Sequence, residues 1–304
     1  MLPNTIIAGS PRCGTTALFE YLSKHPEVSA SKIKETTYFI DQDYFSSLFL
    51  QSKLPKYFSH PISEYEKYFE NLNGKKKIIL EASPDYLYQV EAIKSIAALK
   101  SKPQLIFILR KPSSRVYSMY KYAQGQLGIL DNEMTFAEFV QKAKDTDFFG
   151  KQGLRILDDV IENGKYIKYL RKFDRYFERK QMTIIIFEDL MQNPQRMLSK
   201  ISIDLGIDGS FYDSFEARVS NNSVTVRSKF LQRILKKAPI PLMLRYGDGY
   251  FKFFFKKIYR KLNTSPVSKK STDEEYVLKE LDQEYRESIY TLESEFQLDL
   301  SRWK

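Results

Sequence analysis

Thr5-Ile6-Ile7-Ala8-Gly9-Ser10-Pro11-Arg12-Cys13-Gly14-Thr15-Thr16-Ala17-Leu18 is the stretch that decides the fold. Its first four residues are an apolar run short enough for a buried strand, and Ala17, Leu18, Tyr21 and Leu22 recur at helical spacing beyond the turn. Strand, glycine-bounded turn and helix thus follow in immediate succession. Glycine at both ends lets the backbone come close to a ligand, and the unpaired N–H groups of the helix's first turn point at the same spot, which favours an anion such as phosphate. In the pattern G-x-x-x-x-G-K-[ST] a lysine after the second glycine reaches the outer phosphates. Here Gly9 and Gly14 fit, Thr15 takes the lysine's place, and the nearest cation is Arg12, inside the loop. Such a loop suits a phosphate without the usual equipment for a triphosphate and Mg²⁺.

Working outward, further short apolar runs occur at Ile78–Leu80, Leu105–Leu109 and Thr183–Phe187, each followed after a turn by a helical pattern. That alternation predicts an α/β, P-loop-like three-layer fold, with a central parallel sheet flanked by helices. In such sheets ligands bind beyond the carboxyl ends of the strands. Gly9 to Thr16, Glu81, Arg110 and Glu188 all follow strand ends and are expected to converge on one crevice.

The loop, then His25-Pro26, then Lys34-Glu35-Thr36-Thr37-Tyr38-Phe39, resembles the 5′-phosphosulfate loop and Lys-Glu segment of sulfotransferases that use 3′-phosphoadenosine 5′-phosphosulfate, nearer to the carbohydrate branch (heparan-type and bacterial relatives). Glu81-Ala82-Ser83-Pro84-Asp85-Tyr86 is similar to the family's Glu-x-Ser-Pro-x-Tyr element. The run from Leu105 to Ser118 resembles its 3′-phosphate strand and helix. Gly164-Lys165-Tyr166, Phe187-Glu188-Asp189-Leu190, the late loop Asn221–Lys229 and the ending Leu298-Asp299-Leu300-Ser301-Arg302-Trp303 look like later elements of the same fold.

The resemblance implies that Ser10, Pro11, Arg12, Cys13, Gly14, Thr15 and Thr16 hold the phosphosulfate, and that Arg110 and Ser118 hold the 3′-phosphate with Arg227 adding charge. It implies Glu35 as the base that takes the acceptor's proton, with Arg12 and Lys34 completing the catalytic set, and a saccharide or glycoconjugate as acceptor. Arg12 stands where most relatives carry lysine, which leaves open whether its planar fork reaches the bridging oxygen or only the 5′-phosphate. Glu81 and His25 are rival bases. His25-Pro26 and His60-Pro61 both read as structural turns, and Glu35 reads alternatively as a surface carboxylate paired with Lys34 or Lys32. No metal is implied, because two histidines and one cysteine offer no ligand cluster.

At 304 residues and 42% hydrophobic, the chain can bury a large core as one domain. Long apolar stretches and room for a signal peptide before Thr5 are both lacking, and the single Cys13 forms no internal disulfide, so the expected compartment is the cytoplasm. A net charge of +10 favours polyanionic partners. Zinc-finger, RNA-binding and basic-zipper signatures are missing, so no nucleic acid is expected; an anionic nucleotide donor with an acidic glycan, or simply a lysine-rich solvated surface, accounts for the sign.

A single domain over 1–304 is expected to carry a basic aromatic helical elaboration around 230–268 and a C-terminal packing helix over 272–293. In the former, Phe251, Phe254, Phe255, Ile258 and Leu262 share a face opposite Lys252, Lys256, Lys257, Arg260 and Lys261. Peripheral membrane contact through 250–262, a basic wall for the acceptor, and an amphipathic helix on the core all stay open. Residues 263–271 read as a polar linker. Thr272 with Glu275 fits a capping box, and Leu278, Leu281, Tyr285, Ile289 and Leu292 form a stripe expected to pack on the sheet. Tyr166, Leu170, Phe173 and Phe177 mark a second core face. The competing functions are a phosphate-loop kinase or NTPase, and an inactive nucleotide- or glycan-binding module.

Overall fold

The opening apolar run is buried from end to end as strand β1, Thr5–Gly9. The computed structural model describes residues 1–41, 61–70, 76–145, 147–152, 154–217 and 270–304, with the backbone of 224–226 and 264–266. After β1 come α1 (Thr15–Leu22), β2 (Val28–Ala30), α2 (Ile62–Glu66), β3 (Ile78–Ala82), a 3-10 turn at Pro84–Tyr88 and α3 (Val90–Ala97). Next are β4 (Gln104–Leu109), α4 (Pro112–Lys121) running into a π-helical segment at Tyr122–Leu127, α5 (Phe136–Lys144) and α6 (Tyr166–Phe173). The chain continues with β5 (Met182–Ile186), α7 (Phe187–Gln192), α8 (Pro194–Asp204), β6 (Val224–Val226), β7 (Thr264–Pro266) and α9 (Thr272–Phe296).

Strands β1 to β5 form one parallel sheet in the order β2-β3-β1-β4-β5. Ile7 faces Ala82 of β3 on one side and Ile106 of β4 on the other. Burial on both faces explains why β4 reads as an unbroken apolar run. The strand order reverses at β1, so the crevice of an open α/β sheet falls at its carboxyl end, between the ends of β3 and β4. The expected α/β architecture is the one observed. Edge strand β2 was not among the predicted runs, because its three residues carry only one buried apolar side chain, Val28.

Three expectations need correction near the C-terminus. The helix cap is Ser271, whose Oγ accepts from Glu274 N, rather than Thr272 with Glu275. The stripe Leu278, Leu281, Tyr285, Ile289 and Leu292 is buried, but the main partners of α9 are helices α4, α5 and α6, so it forms a second helical layer instead of resting on the sheet. The polar linker contains β7, which pairs antiparallel with β6. Residues His60, Arg227, 230–263 and 267–268 lie outside the described residues. Among the described residues, no helix is long and apolar enough to cross a membrane.

Candidate functional site

The turn after β1 is built by two glycines that nothing larger could replace. A Cβ on Gly9 would lie 2.8 Å from Leu87 Cβ. One on Gly14 would meet the Phe187 ring at 2.7 Å, and Gly14 also has φ +90, a left-handed conformation that costs glycine little. Gly14 caps α1 without a side-chain hydrogen bond. The N–H groups of Gly14, Thr15 and Thr16 have no backbone acceptor among the described residues, as the first turn of a helix requires. Ser10 and Pro11 face inward: Ser10 Oγ lies 2.7 Å from Tyr88 Oη, and Pro11 O accepts from Arg115 Nε at 3.2 Å. Cys13 is fully buried at 3.6 Å from Tyr166 Oη, and burial pushes its thiol up, so it stays a neutral small side chain.

Arg12, Arg110 and Ser118 come together from three elements. Arg12 has φ 68; its Nη2 donates to Ser118 Oγ on α4 at 3.4 Å, and its Cζ lies 4.0 Å from the centroid of the Tyr122 ring. Burial lowers the Arg12 guanidinium from the ordinary arginine value; Tyr122 opposes this, while Arg110 and Arg115 add repulsion. Arg110 leaves the end of β4 with its guanidinium 4.8 Å over the Phe187 ring and makes no ion pair among the described residues. Its turn is held from behind: Tyr166 Oη donates to Arg110 O at 2.8 Å, and Lys111 N donates to Glu188 Oε1 at 3.1 Å. Arg12 and Arg110, gathered at a helix start, make a site for an anion, while Arg115 is spent on Pro11 O and Val160 O.

The Lys34-Glu35 segment is strapped to the end of β3. Glu35 N donates to Ala82 O at 2.8 Å, Thr36 Oγ1 to Glu81 Oε1 at 3.0 Å, Thr37 N to Ser83 Oγ at 3.1 Å and Phe39 N to Tyr86 Oη at 3.3 Å. Glu35 and Thr37 both sit at positive φ, 63 and 54. The strap therefore leaves Glu35 half-exposed, paired with Lys34. Its charge reaches the Tyr122 phenol, which burial pushes up, Arg12 draws down and Glu35 raises. Arg12 touches that ring, and Glu35 acts on its hydroxyl through charge alone.

The rival bases are placed otherwise. His25 is buried; its Nε2 donates to Asp208 O at 2.8 Å and its Nδ1 accepts from Glu27 N at 3.1 Å, which spends both nitrogens on a turn. Glu81 is fully buried under the strap, with Oε1 accepting from Ser83 Oγ at 2.5 Å and Oε2 without a partner among the described residues. Burial pushes its carboxyl up to about 7, against its hydrogen bonds and Lys34. The folded chain then keeps a proton that the unfolded chain releases near 4.5. Stability is full below that value and falls as pH rises towards 7, by on the order of 3 kcal/mol. Urea unfolding from about pH 5 to about pH 8 should show this fall, and Glu81→Gln should flatten it; an unchanged slope in the variant would assign the fall to another group.

One expected member leaves the site. Glu188 does not face the crevice: Lys111 N donates to its Oε1 and Trp303 Nε1 donates to its Oε2 at 3.0 Å, so it is a structural tie. Arg115, Tyr88 and Tyr122 were not assigned from sequence. An arginine or tyrosine on a helix following a strand gives no sign there of pointing back at the loop.

Comparison with known proteins agrees with this architecture. The sulfotransferase domain family model matches residues 2–238. The bifunctional heparan sulfate N-deacetylase/N-sulfotransferase 1 of Caenorhabditis briggsae is 24% identical over 207 residues, covering 66% of this chain and 22% of that protein. Human heparan sulfate glucosamine 3-O-sulfotransferase 3B1 is 27% identical over 209 residues, covering 68% of this chain and 46% of that protein. The chain thus spans less than half the length of these relatives. A solved sulfotransferase from Alicyclobacillus acidocaldarius superimposes with a TM-score of 0.70 at 19% identity, covering 100% of this chain and 99% of that one, a likeness of fold. Matched over residues 2–238, which include the strand, loop and strand ends described above, the chain belongs to the sulfotransferase domain family.

Proposed function

We propose that this chain transfers a sulfuryl group from 3′-phosphoadenosine 5′-phosphosulfate to a hydroxyl or amine of a saccharide or glycoconjugate. The observation that carries the reading is the convergence of Arg12, Arg110 and Ser118 on the helix start, with guanidinium charge that no carboxylate among the described residues neutralises. The donor's chemistry is an activated sulfuryl group on a good leaving phosphate. The fit rests on chain features: the left-handed turn at Gly14 that opens α1, and, among the described residues, a buried Arg12 Nε without a partner and an Arg110 without an ion pair.

In this reading Arg110 and Ser118 hold the 3′-phosphate, and the N–H groups of Gly14, Thr15 and Thr16 hold the 5′-phosphate. Glu35 takes the proton of the acceptor as its oxygen or nitrogen bonds to sulfur. Arg12 and Lys34 stabilise the charge that grows as the bond from sulfur to the bridging oxygen breaks, and adenosine 3′,5′-bisphosphate leaves. The acceptor class is carried over from heparan sulfate relatives, and a cytoplasmic setting belongs to the same proposal.

Calorimetry tests donor recognition. Charge-assisted bonds to the 3′-phosphate, about 1.5–3 kcal/mol each, should make adenosine 3′,5′-bisphosphate bind at least roughly tenfold tighter than ATP, with or without Mg²⁺. Tighter, Mg²⁺-dependent ATP binding would return the chain to the kinase reading. Labelled sulfate appearing in a saccharide panel led by desulfated heparan sulfate separates an enzyme from an inactive binding module.

A further inference from the structure

Ser118 and Tyr122 are four residues apart where α4 passes into its π-helical continuation, so they occupy one face a turn apart. Both touch the same group. Arg12 Nη2 reaches Ser118 Oγ at 3.4 Å, and the guanidinium carbon lies 4.0 Å from the Tyr122 ring centroid, within the range of a cation–π contact. The remaining edge of the guanidinium is unspent: Nε is buried and has no partner among the described residues. A lysine ammonium is a point charge indifferent to rotation, whereas a guanidinium donates only in its own plane. An arginine in this loop therefore needs something to set that plane.

We propose that Tyr122 is a positioning residue whose ring fixes the plane of the Arg12 guanidinium, so that its unspent edge faces the sulfuryl group and bridging oxygen rather than the 5′-phosphate alone. The inference rests on the functional reading above. Under it, the loss on removing the ring falls on bond cleavage and not on nucleotide affinity, because affinity is carried by Arg110, Ser118 and the loop N–H groups. The hydroxyl of Tyr122 is dispensable, since the ring does the orienting. The effect also requires the cation: without a guanidinium to orient, the ring has nothing to do.

The test is a double-mutant cycle on the full chain, reading single-turnover release of radiolabelled sulfate from the donor with water as acceptor, beside calorimetric binding of adenosine 3′,5′-bisphosphate. Tyr122→Leu should slow release about 10- to 30-fold while weakening binding less than about threefold, and Tyr122→Phe should restore the rate to within roughly twofold of the parent. In an Arg12→Gln background, Tyr122→Leu should cost less than about twofold more. The inference alone is overturned by equal losses in rate and affinity, by a leucine variant as fast as the parent, or by additive losses in the cycle. A parent chain that neither binds the bisphosphate nor releases sulfate overturns the functional reading and this inference with it.

Discussion

Glu35→Gln is expected to lower the rate of sulfate transfer by roughly 10²–10⁴, equivalent to about 3–5 kcal/mol in the barrier, while adenosine 3′,5′-bisphosphate binds within about twofold of the parent. The size follows from what the amide removes. Glutamine keeps the shape and the exposed position on the strap, but it cannot take a proton. The strap itself survives, because it is held by the N–H groups of Glu35, Thr37 and Phe39 and the hydroxyl of Thr36, not by the Glu35 carboxylate. Steady-state transfer into an accepted saccharide, with calorimetry on the same preparation, reads both quantities. Were Glu35→Gln to keep most of its turnover while Glu81→Gln lost it, the base would be the buried carboxyl and Glu35 a surface partner of Lys34.

Arg115→Met is the largest effect expected on stability, a loss of about 2–5 kcal/mol in unfolding free energy. Arg115 is buried with no carboxylate against it among the described residues; its Nε donates to Pro11 O at 3.2 Å and its Nη1 to Val160 O at 2.9 Å. Methionine fills much of the volume yet takes the Arg115 donor from the buried Val160 O and leaves Pro11 O with only the longer contacts from Ser10 Oγ and Cys13 Sγ, a buried unpaired carbonyl costing about 1–3 kcal/mol. Denaturant titration should show the loss, and nucleotide affinity should fall too, because Pro11 O is the anchor that keeps the anion loop against the core. A variant as stable as the parent would mean that the two carbonyls find water or other donors.

The central strands were legible because burial on both faces demands unbroken apolar runs, and Thr5–Ala8 and Leu105–Leu109 supply them. The loop was legible from its glycine spacing together with the sulfotransferase resemblance, and Arg110 from that resemblance; the structure puts them at the ends of β1 and β4. What stayed hidden was pairing across long distances in the chain. Glu188 follows a strand end as a site carboxylate would, and only Trp303, 115 residues later, shows that it is a tie. Ser271-x-x-Glu274 and Thr272-x-x-Glu275 fit the capping pattern equally well, so sequence alone put the cap one residue late. Tyr122 was silent because nothing in a helix-like run reveals that a ring lies against an arginine 110 residues earlier.

Strand β1 stands between two neighbours that contribute different things. The β4 side brings Arg110 and, through its following helix, Ser118 and Tyr122; the β3 side brings the strap that presents Glu35. On the proposed function, gripping and deprotonating are thus mounted on opposite flanks of a shared spine. New acceptors can be sought by redesigning the β3 flank alone, with the nucleotide grip left as an untouched chassis.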